Sequence, residues 1–282
     1  MYFYNMKVIK QLFDFYINSS VHVALSVYSL AWITLLEFDI SYDENVLYFI
    51  FYASITGYNF VKYFGIAKFH HRSLTNWLKV TQIFSFLCFI LMFYYGLKLH
   101  TEVILCIAGF GIITFFYAIP FLPKRLFLDS QHNLRTIGGL KVYLIALVWS
   151  GVTVFLPLIN NDYDINTDII ITVIQRYVFI VVLMLPFEIR DLRYDSLKLS
   201  TVPQKIGVKQ TKIMGGLLLI VFFLLEFFKN EIAIHQILVL LIISITTLVF
   251  LVFSKIEQGK YYSSFWVEGV PIYWLVLILL FY

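Results

Sequence analysis

Charged side chains are scarce in this sequence, and their scarcity excludes most soluble functions. Only 13% of the 282 residues are Asp, Glu, Lys or Arg, whereas 61% are hydrophobic. A soluble domain typically carries ~25% charged residues and only ~45–50% apolar ones. A soluble globular enzyme, a disordered chain, a collagen and a nucleic-acid-binding domain built on a basic patch are therefore excluded. The composition predicts a polytopic membrane protein whose partner is the lipid bilayer, with no nucleic acid.

The sequence also lacks the features of a disulfide or metal scaffold and of separate domains. Its two cysteines, Cys88 and Cys106, lie in apolar runs and form no ligand pattern. No small-residue cleavage site follows the first long apolar run, so we expect a retained helix there and not a signal peptide. No internal repeat or low-complexity tract divides the chain. We expect one integral-membrane domain over residues 1–282.

Long apolar runs are what the sequence has in abundance. A spanning helix needs roughly 20 mostly apolar residues, because the hydrocarbon core is ~30 Å thick. Nine runs meet this length, and they predict an all-α helical bundle with nine transmembrane helices. The runs lie near residues 20–38, 46–66, 79–97, 101–119, 140–159, 167–187, 212–229, 231–253 and 264–282.

The few charges are distributed unevenly between the two sides of this predicted bundle. With a cytoplasmic N-terminus, nine spans place the loops near 67–78, 120–139, 188–211 and 254–263 on the cytoplasmic side. Together with the N-terminus and the adjoining helix ends, this side holds 18 of the 21 basic residues. The positive-inside rule predicts such an asymmetry, so we expect a multi-pass protein of the cell membrane with its active face in the cytoplasm. The 18 residues are Lys7, Lys10, Lys62, Lys68, Arg72, Lys79, Lys124, Arg125, Arg135, Lys141, Arg190, Arg193, Lys198, Lys205, Lys209, Lys212, Lys255 and Lys260.

An acidic cluster follows the sixth predicted span. Glu188, Asp191 and Asp195 share one face if the helix continues to Asp195. Three like charges on one face repel each other unless a cation lies between them. Carboxylate oxygens suit Mg²⁺, which commonly binds through one or two carboxylates together with a substrate phosphate. The alternative is a solvated loop in which Arg190 and Arg193 neutralise the cluster.

A basic cluster lies in the predicted loop between the fourth and fifth spans. It consists of Lys124, Arg125, Arg135 and Lys141. Guanidinium and ammonium groups both suit phosphate oxygens, so the cluster is a candidate pyrophosphate site. The alternative is ordinary topological charge of the positive-inside kind, which would account for most of it.

Two stretches of the chain carry a resemblance to a known family. They are Glu188-x-x-Asp191-x-x-x-Asp195 with Thr201-Val202-Pro203 and Ile206-Gly207, and Tyr117 to Lys124 with Leu134-Arg135, Gly139-Leu140-Lys141 and Trp149. Both stretches resemble the UbiA superfamily of intramembrane prenyltransferases. Members of that family have nine transmembrane helices and two acidic motifs in the cytoplasmic loops after the second and sixth helices, where Mg²⁺ holds an isoprenyl pyrophosphate. The resemblance implies that Asp191 and Asp195 hold Mg²⁺ with Glu188 in support. It also implies that Lys124, Arg135 and Lys141 hold the pyrophosphate.

The chain departs from the family pattern in the first acidic motif. Asn59 is kept and implied to contact metal or phosphate, but Phe60, Tyr63 and Ala67 stand at the three acidic positions. Lys62 lies about one turn from Asn59. We therefore expect its ammonium to face Asp191 or Asp195 and to replace one missing metal beside the pyrophosphate. The alternative is that Lys62 only extends to the cytoplasmic interface.

These features predict a diverged prenyltransferase with the family's reaction. The allylic C–O bond of an isoprenyl diphosphate ionises, and the cation alkylates a hydrophobic acceptor inside the helical bundle. The loss of the first acidic motif favours a second hypothesis, a catalytically inactive relative that binds an isoprenoid or assembles with a lipid-pathway enzyme. A transporter is a third hypothesis, supported only by the intramembrane charges Arg176 and Glu268.

Overall fold

In the computed structural model, every regular element among the described residues is helical. The structure describes residues 2–69, 76–118, 139–193, 201–231 and 233–281. A short 3₁₀ turn, Leu225–Phe228, extends α8, and a π-helical segment, Tyr262–Val267, precedes α10. The ten α-helices are α1 (Tyr2–Asn18), α2 (Val21–Glu37), α3 (Glu44–Phe69), α4 (Asn76–Gly96), α5 (Thr101–Ala118), α6 (Leu140–Asn160), α7 (Thr167–Asp191), α8 (Val202–Leu224), α9 (Ile234–Phe253) and α10 (Val270–Phe281).

The nine predicted apolar runs coincide with the helices α2 to α10, so the chain is a multi-pass helical membrane protein. By length and composition, six described segments could cross a membrane, and the number is seven if α1 and α2, which meet at an angle of 57°, cross as one broken helix. A count of nine spans and a cytoplasmic N-terminus stay predictions. The six segments are Leu78–Gly96, Leu140–Asn160, Thr167–Asp191, Val202–Phe228, Ile234–Phe253 and Tyr262–Phe281.

Two helix ends differ from the predicted ones. Helix α8 begins at Val202, ten residues before the predicted start at 212. Thr201 caps this end and Pro203 lies in the first turn. The side chain of Gln204 accepts a hydrogen bond from the Thr201 N–H at 3.0 Å, which stabilises the early start. Helix α7 ends at Asp191, four residues past the predicted end near 187, and Asp195 lies outside the described residues. Gly207 has a φ of +79°, which bends the first turns of α8 and favours glycine there.

Helix α7 is the central element of the bundle. It packs between α6 and α8, and its buried side chains run from Ile169 to Ile189. Helix α2 packs against α3, α6 and α10, and thereby closes the bundle around α7. Helices α4 and α5 lie at the periphery, where apolar side chains such as Phe86, Phe93 and Leu105 are exposed as expected for a lipid-facing surface.

Helix α1 is an additional element that the apolar runs did not predict. Its Phe13 packs on Tyr261, directly before the π-helical segment, and on Phe265 within that segment. The ring centre of Phe13 lies 5.0 Å from each of the other two ring centres. Asp14 forms an ion pair with Lys260, and this hydrogen bond raises the pKa of Lys260 above its usual range. The first and last parts of the chain are therefore joined at one end of the bundle.

A close helix contact between α5 and α6 depends on Gly151, and its replacement gives a stability prediction. A Cβ at position 151 would lie 2.0 Å from the ring carbon Cζ of Phe110. We expect Gly151→Ala to lower the free energy of unfolding by about 1–3 kcal/mol, because the ring must leave its position. Thermal unfolding of the detergent-solubilised protein measures the change.

Gly109 provides the matched control for this prediction. It lies beside Phe110 on α5, and a Cβ there would meet no atom within 4 Å. Gly109→Ala should be neutral or stabilising, because alanine favours the helix by up to ~1 kcal/mol over glycine. Equal effects of the two substitutions would show that the contact of Gly151 with Phe110 is not close in the protein.

Candidate functional site

The ends of α6 and α7 bring an ammonium group against two carboxylates. Gly139, with a φ of +75°, is the N-cap of α6, and Lys141 lies in the first turn of this helix. The last turn of the antiparallel α7 carries Glu188 and Asp191. The Nζ of Lys141 lies 3.2 Å from Oδ2 of Asp191 and 3.8 Å from Oε1 of Glu188. These three predicted site residues therefore form one cluster, the α6–α7 charge cluster.

Arg190 adds a second cation to this cluster. Its Nε lies 2.9 Å and its terminal nitrogen 2.8 Å from Oδ1 of Asp191. Its guanidinium also lies 5.3 Å from the ring centre of Phe187. Both oxygens of Asp191 therefore contact cations, Arg190 at one and Lys141 at the other. Glu188 is almost fully buried at 1% exposure, so its charge depends strongly on neighbouring cations.

The described part of the α6–α7 charge cluster is not a preformed metal cage. Within the described ranges, no group of three His, Cys, Asp or Glu side chains could hold a metal ion. Mg²⁺ at phosphate sites commonly binds through only one or two carboxylates together with the substrate phosphate, and Glu188 and Asp191 are two such carboxylates. The other residues expected at this site, Asp195, Lys124 and Arg135, lie outside the described residues.

Asn59 lies in a hydrogen-bonded network at the corner between α1 and α2. Its Oδ1 accepts a hydrogen bond from Ser20 Oγ at 2.8 Å. Its Nδ2 donates to the Ser19 carbonyl at 2.9 Å and to Ser85 Oγ at 2.7 Å. Asn59 also borders a groove of about 270 Å³ between α3 and α4, together with Gln82. The predicted contact of Asn59 with metal or phosphate stays a prediction.

Lys62 does not pair with Asp191, one of its two expected partners. The Nζ of Lys62 donates to the carbonyl of Asn18 at 2.9 Å, and Tyr63 donates to the same oxygen at 3.0 Å. Asn18 is the last residue of α1, so its carbonyl lacks a helical partner and attracts a cation. Lys141 takes the place beside Asp191 instead. A pairing of Lys62 with Asp195 lies outside the described part of the chain.

Glu268 is a charged residue of this region that the motifs did not indicate. It lies between the π-helical segment and α10, and its carboxylate is within electrostatic reach of Lys62 and Arg190. The signal in the sequence was an acidic residue inside the last apolar run, which by itself marks a functional position in membrane proteins. That signal gave no indication of its neighbours.

A second buried charge network surrounds Arg176 on α7. The terminal nitrogens of Arg176 lie 3.3 Å from Oε2 of Glu37 and 3.1 Å from the Leu30 carbonyl. Its guanidinium lies 4.8 Å from the ring centre of Trp274, and Glu226 is within electrostatic reach. Glu37 is therefore the direct ion-pair partner of Arg176. We name this group the Arg176 network.

A comparison with solved structures relates this fold to a known enzyme. The chain is similar to a digeranylgeranylglyceryl phosphate synthase, a UbiA-type prenyltransferase, with a TM-score of 0.55 and 13% sequence identity. The match covers 96% of this chain and 97% of that enzyme. No family model and no curated protein matches the chain. At this identity the likeness shows the fold alone, and the chain therefore has a UbiA-like fold.

Proposed function

We propose that this protein is a UbiA-like prenyltransferase, which moves an isoprenyl group from its pyrophosphate to a lipid-soluble acceptor. The observation that supports this function is the α6–α7 charge cluster, in which Lys141 lies within 4 Å of both Glu188 and Asp191. A digeranylgeranylglyceryl phosphate synthase shares the fold over nearly the whole chain. A fold of this kind together with a charged cluster at the helix ends suits the binding of an isoprenyl diphosphate.

Each charged residue has a role in this proposal. Lys141, with Lys124, Arg135 and Lys62, binds the diphosphate oxygens, and its ammonium stabilises the negative charge that the leaving group gains. Asp191, Asp195 and Glu188 hold Mg²⁺, and Asn59 contacts metal or phosphate. Bound Mg²⁺ supplies further positive charge for the leaving diphosphate. The apolar interior excludes water from the reacting carbon.

We further propose the orientation that the charges predict, with nine spans, a cytoplasmic N-terminus and the site at the cytoplasmic face of the cell membrane. Loops rich in Lys and Arg favour the cytoplasmic side. Lys141, Arg190 and Lys260 all belong to the side that holds the basic loops. The diphosphate would then reach the site from the cytoplasm and the hydrophobic acceptor from the bilayer.

A second candidate function is an inactive UbiA-fold protein that binds an isoprenoid or assembles with a lipid-pathway enzyme. The side of α3 where the family carries acidic residues supports it. Phe60 there is 43% exposed, and the hydroxyl of Tyr63 is bound to the Asn18 carbonyl. Neither side chain is a ligand for Mg²⁺ at that position.

Turnover of labelled allylic diphosphates, with and without Mg²⁺, tests the proposed function. We expect the purified protein to release diphosphate in a Mg²⁺-dependent reaction, and Asp191→Ala to slow it about 100-fold or more. Asp164→Ala, which removes an exposed carboxylate near the other end of α7, should leave the rate unchanged. Tight isoprenoid binding without turnover for any diphosphate would support the inactive relative instead.

A further inference from the structure

A groove between α3 and α4 combines polar side chains with aromatic rings. It encloses about 270 Å³, the volume of roughly nine water molecules in the liquid. Helix α3 lines it with residues at the spacing i, i+3, i+4 and i+7, which share one helix face: Thr56, Asn59, Phe60 and Tyr63. Helix α4 lines it at the same spacing with Gln82, Ser85, Phe86 and Phe89. None of these eight described residues is charged, so the groove suits a neutral ligand.

The groove lies on a different side of α3 from the residue proposed to bind diphosphate. Tyr58 and Lys62 are four residues apart on the other side of this helix, where the Tyr58 hydroxyl accepts a hydrogen bond from Trp149 Nε1 of α6 at 2.8 Å. The rings of Phe86 and Phe89 at the groove are instead exposed on the lipid-facing surface of α4. A ligand of the groove therefore enters from the bilayer.

Two polar groups of the groove have no partner in the described part of the chain. The hydroxyl oxygen of Thr56 is buried in the groove wall and makes no hydrogen bond to any described residue. The carboxamide of Gln82 is exposed and likewise forms no hydrogen bond within the described ranges. A polar group in a lipid-facing span is costly unless it is hydrogen-bonded. Both groups therefore favour a ligand that brings hydrogen-bonding atoms into the groove.

Two contacts fix how α3 and α4 face each other. The Nδ2 of Asn59 donates to Ser85 Oγ at 2.7 Å. Ten residues earlier on α3, the ring of Phe49 lies beside Gly96 near the end of α4, where a Cβ would come within 3.3 Å of it. The two helices are therefore antiparallel.

This arrangement sets the distance between the two unpartnered groups. Gln82 lies level with Tyr63, which is seven residues or about 10 Å along α3 from Thr56. Hydrogen bonds of about 3 Å at each end leave room for two ligand oxygens that are about 4 Å apart. A lone hydroxyl group is too small to bond both groups, whereas the hydroxyl and ester oxygens of a glycerol ester have such a separation.

The depth of the groove also suits a glycerol ester. Gln82 lies three residues, about 4.5 Å, beyond Lys79, whose exposed ammonium group belongs at the membrane surface. The carboxamide therefore lies in the interfacial layer, between the head groups and the hydrocarbon core. The glycerol and ester groups of bilayer lipids occupy the same layer.

We propose that this groove binds a neutral glycerolipid of the diacylglycerol type, at a site separate from the proposed prenyl transfer and independent of it. The Gln82 carboxamide binds the glycerol hydroxyl, and the Thr56 hydroxyl donates to an ester carbonyl. The acyl chains leave the groove past Phe86 and Phe89 into the bilayer. The absence of charge on the eight described lining residues selects against phospholipid head groups.

Photolabelling of the full chain in phosphatidylcholine nanodiscs tests this site. The probe is a diacylglycerol with a diazirine near the start of one acyl chain, and we expect digestion and mass spectrometry to find the label on Phe60, Phe86 or Phe89. Thr56→Val and Gln82→Leu nearly keep the size of each side chain and remove only polar atoms that lack a partner in the described chain, so the fold should persist. Each substitution should raise the probe concentration for half-maximal labelling about fivefold, and the pair about 25-fold.

Competition and a matched variant complete the experiment. A tenfold excess of phosphatidylglycerol or geranylgeraniol should leave the labelling within twofold, whereas unlabelled diacylglycerol should abolish it. Equal competition by phosphatidylglycerol would overturn the neutral class of ligand, and equal competition by geranylgeraniol would overturn the glycerol ester. Thr114→Val removes a hydroxyl from α5 outside the groove and should change nothing. Unchanged labelling in the double variant, or no label on α3 and α4, would overturn the site itself.

Discussion

Replacement of Lys141 by methionine should lower the affinity for inorganic pyrophosphate at least tenfold and destabilise the protein. The ammonium of Lys141 lies within 4 Å of both Glu188 and Asp191, and in our proposal it also binds the diphosphate. A charge-assisted hydrogen bond contributes about 1.5–3 kcal/mol, and 1.4 kcal/mol corresponds to a tenfold change in affinity. Isothermal titration of the detergent-solubilised protein with pyrophosphate measures the loss.

The loss of stability in Lys141→Met has a separate cause. Glu188 is 1% exposed, and without the ammonium its buried charge loses a cation 3.8 Å away. Removal of one partner of a fully buried pair costs about 3–5 kcal/mol. Lys141 keeps a quarter of its side chain accessible, so water replaces part of the interaction and we expect a smaller cost.

A double variant separates these two effects of Lys141. Lys141→Met with Glu188→Gln removes the ammonium and the buried charge together, so the free energy of unfolding should recover while pyrophosphate affinity stays low. Lys209→Met, at an exposed position of α8, is the control and should change neither quantity. Unchanged pyrophosphate affinity in the single variant would assign Lys141 a purely structural role.

The helices were predictable from the sequence because the bilayer imposes one strong rule. Backbone polar groups in hydrocarbon must be bonded within the segment, so each long apolar run becomes a helix. The nine predicted runs accordingly coincide with α2 to α10. Helix α1 was missed because its apolar residues occupy one side of a short segment, and the early start of α8 was missed because Thr201 and Pro203 signal a helix start outside the apolar run.

The site was predictable only where motif positions coincide with helix ends. Glu188, Asp191 and Lys141 were expected at one site, and the antiparallel packing of α6 and α7 brings them together. The observed partner of Lys62 was not predicted, because it is a backbone carbonyl at the end of α1, and carbonyl positions leave no trace in a residue pattern. The pairing of Glu37 with Arg176 joins the last residue of α2 to the middle of α7, a contact between distant segments that no residue pattern indicates.

The second large effect concerns Arg176, whose replacement by methionine should destabilise the fold by about 3–5 kcal/mol. Arg176 is 1% exposed and neutralises Glu37, and Glu226 is also within its electrostatic reach. Without Arg176, Glu226 keeps other partners but Glu37 loses its cation. Lys229 and Gln175 bind Glu226 at 2.8 and 3.1 Å. Glu37 would keep a largely buried charge without its cation, and thermal unfolding should show the change.

The effect of Arg176 should be confined to stability, because the Arg176 network lies far from the α6–α7 charge cluster. Fifteen residues of α7 separate Arg176 from Asp191, which is about 22 Å along the helix axis. The folded fraction of Arg176→Met should therefore bind pyrophosphate with wild-type affinity. Glu37→Gln added to Arg176→Met should recover more than half of the lost free energy, and Lys205→Met, at an exposed position, should cost nothing. Similar losses in the single and double variants would show that the cost arises from packing against Trp274 and not from the unpaired charge of Glu37.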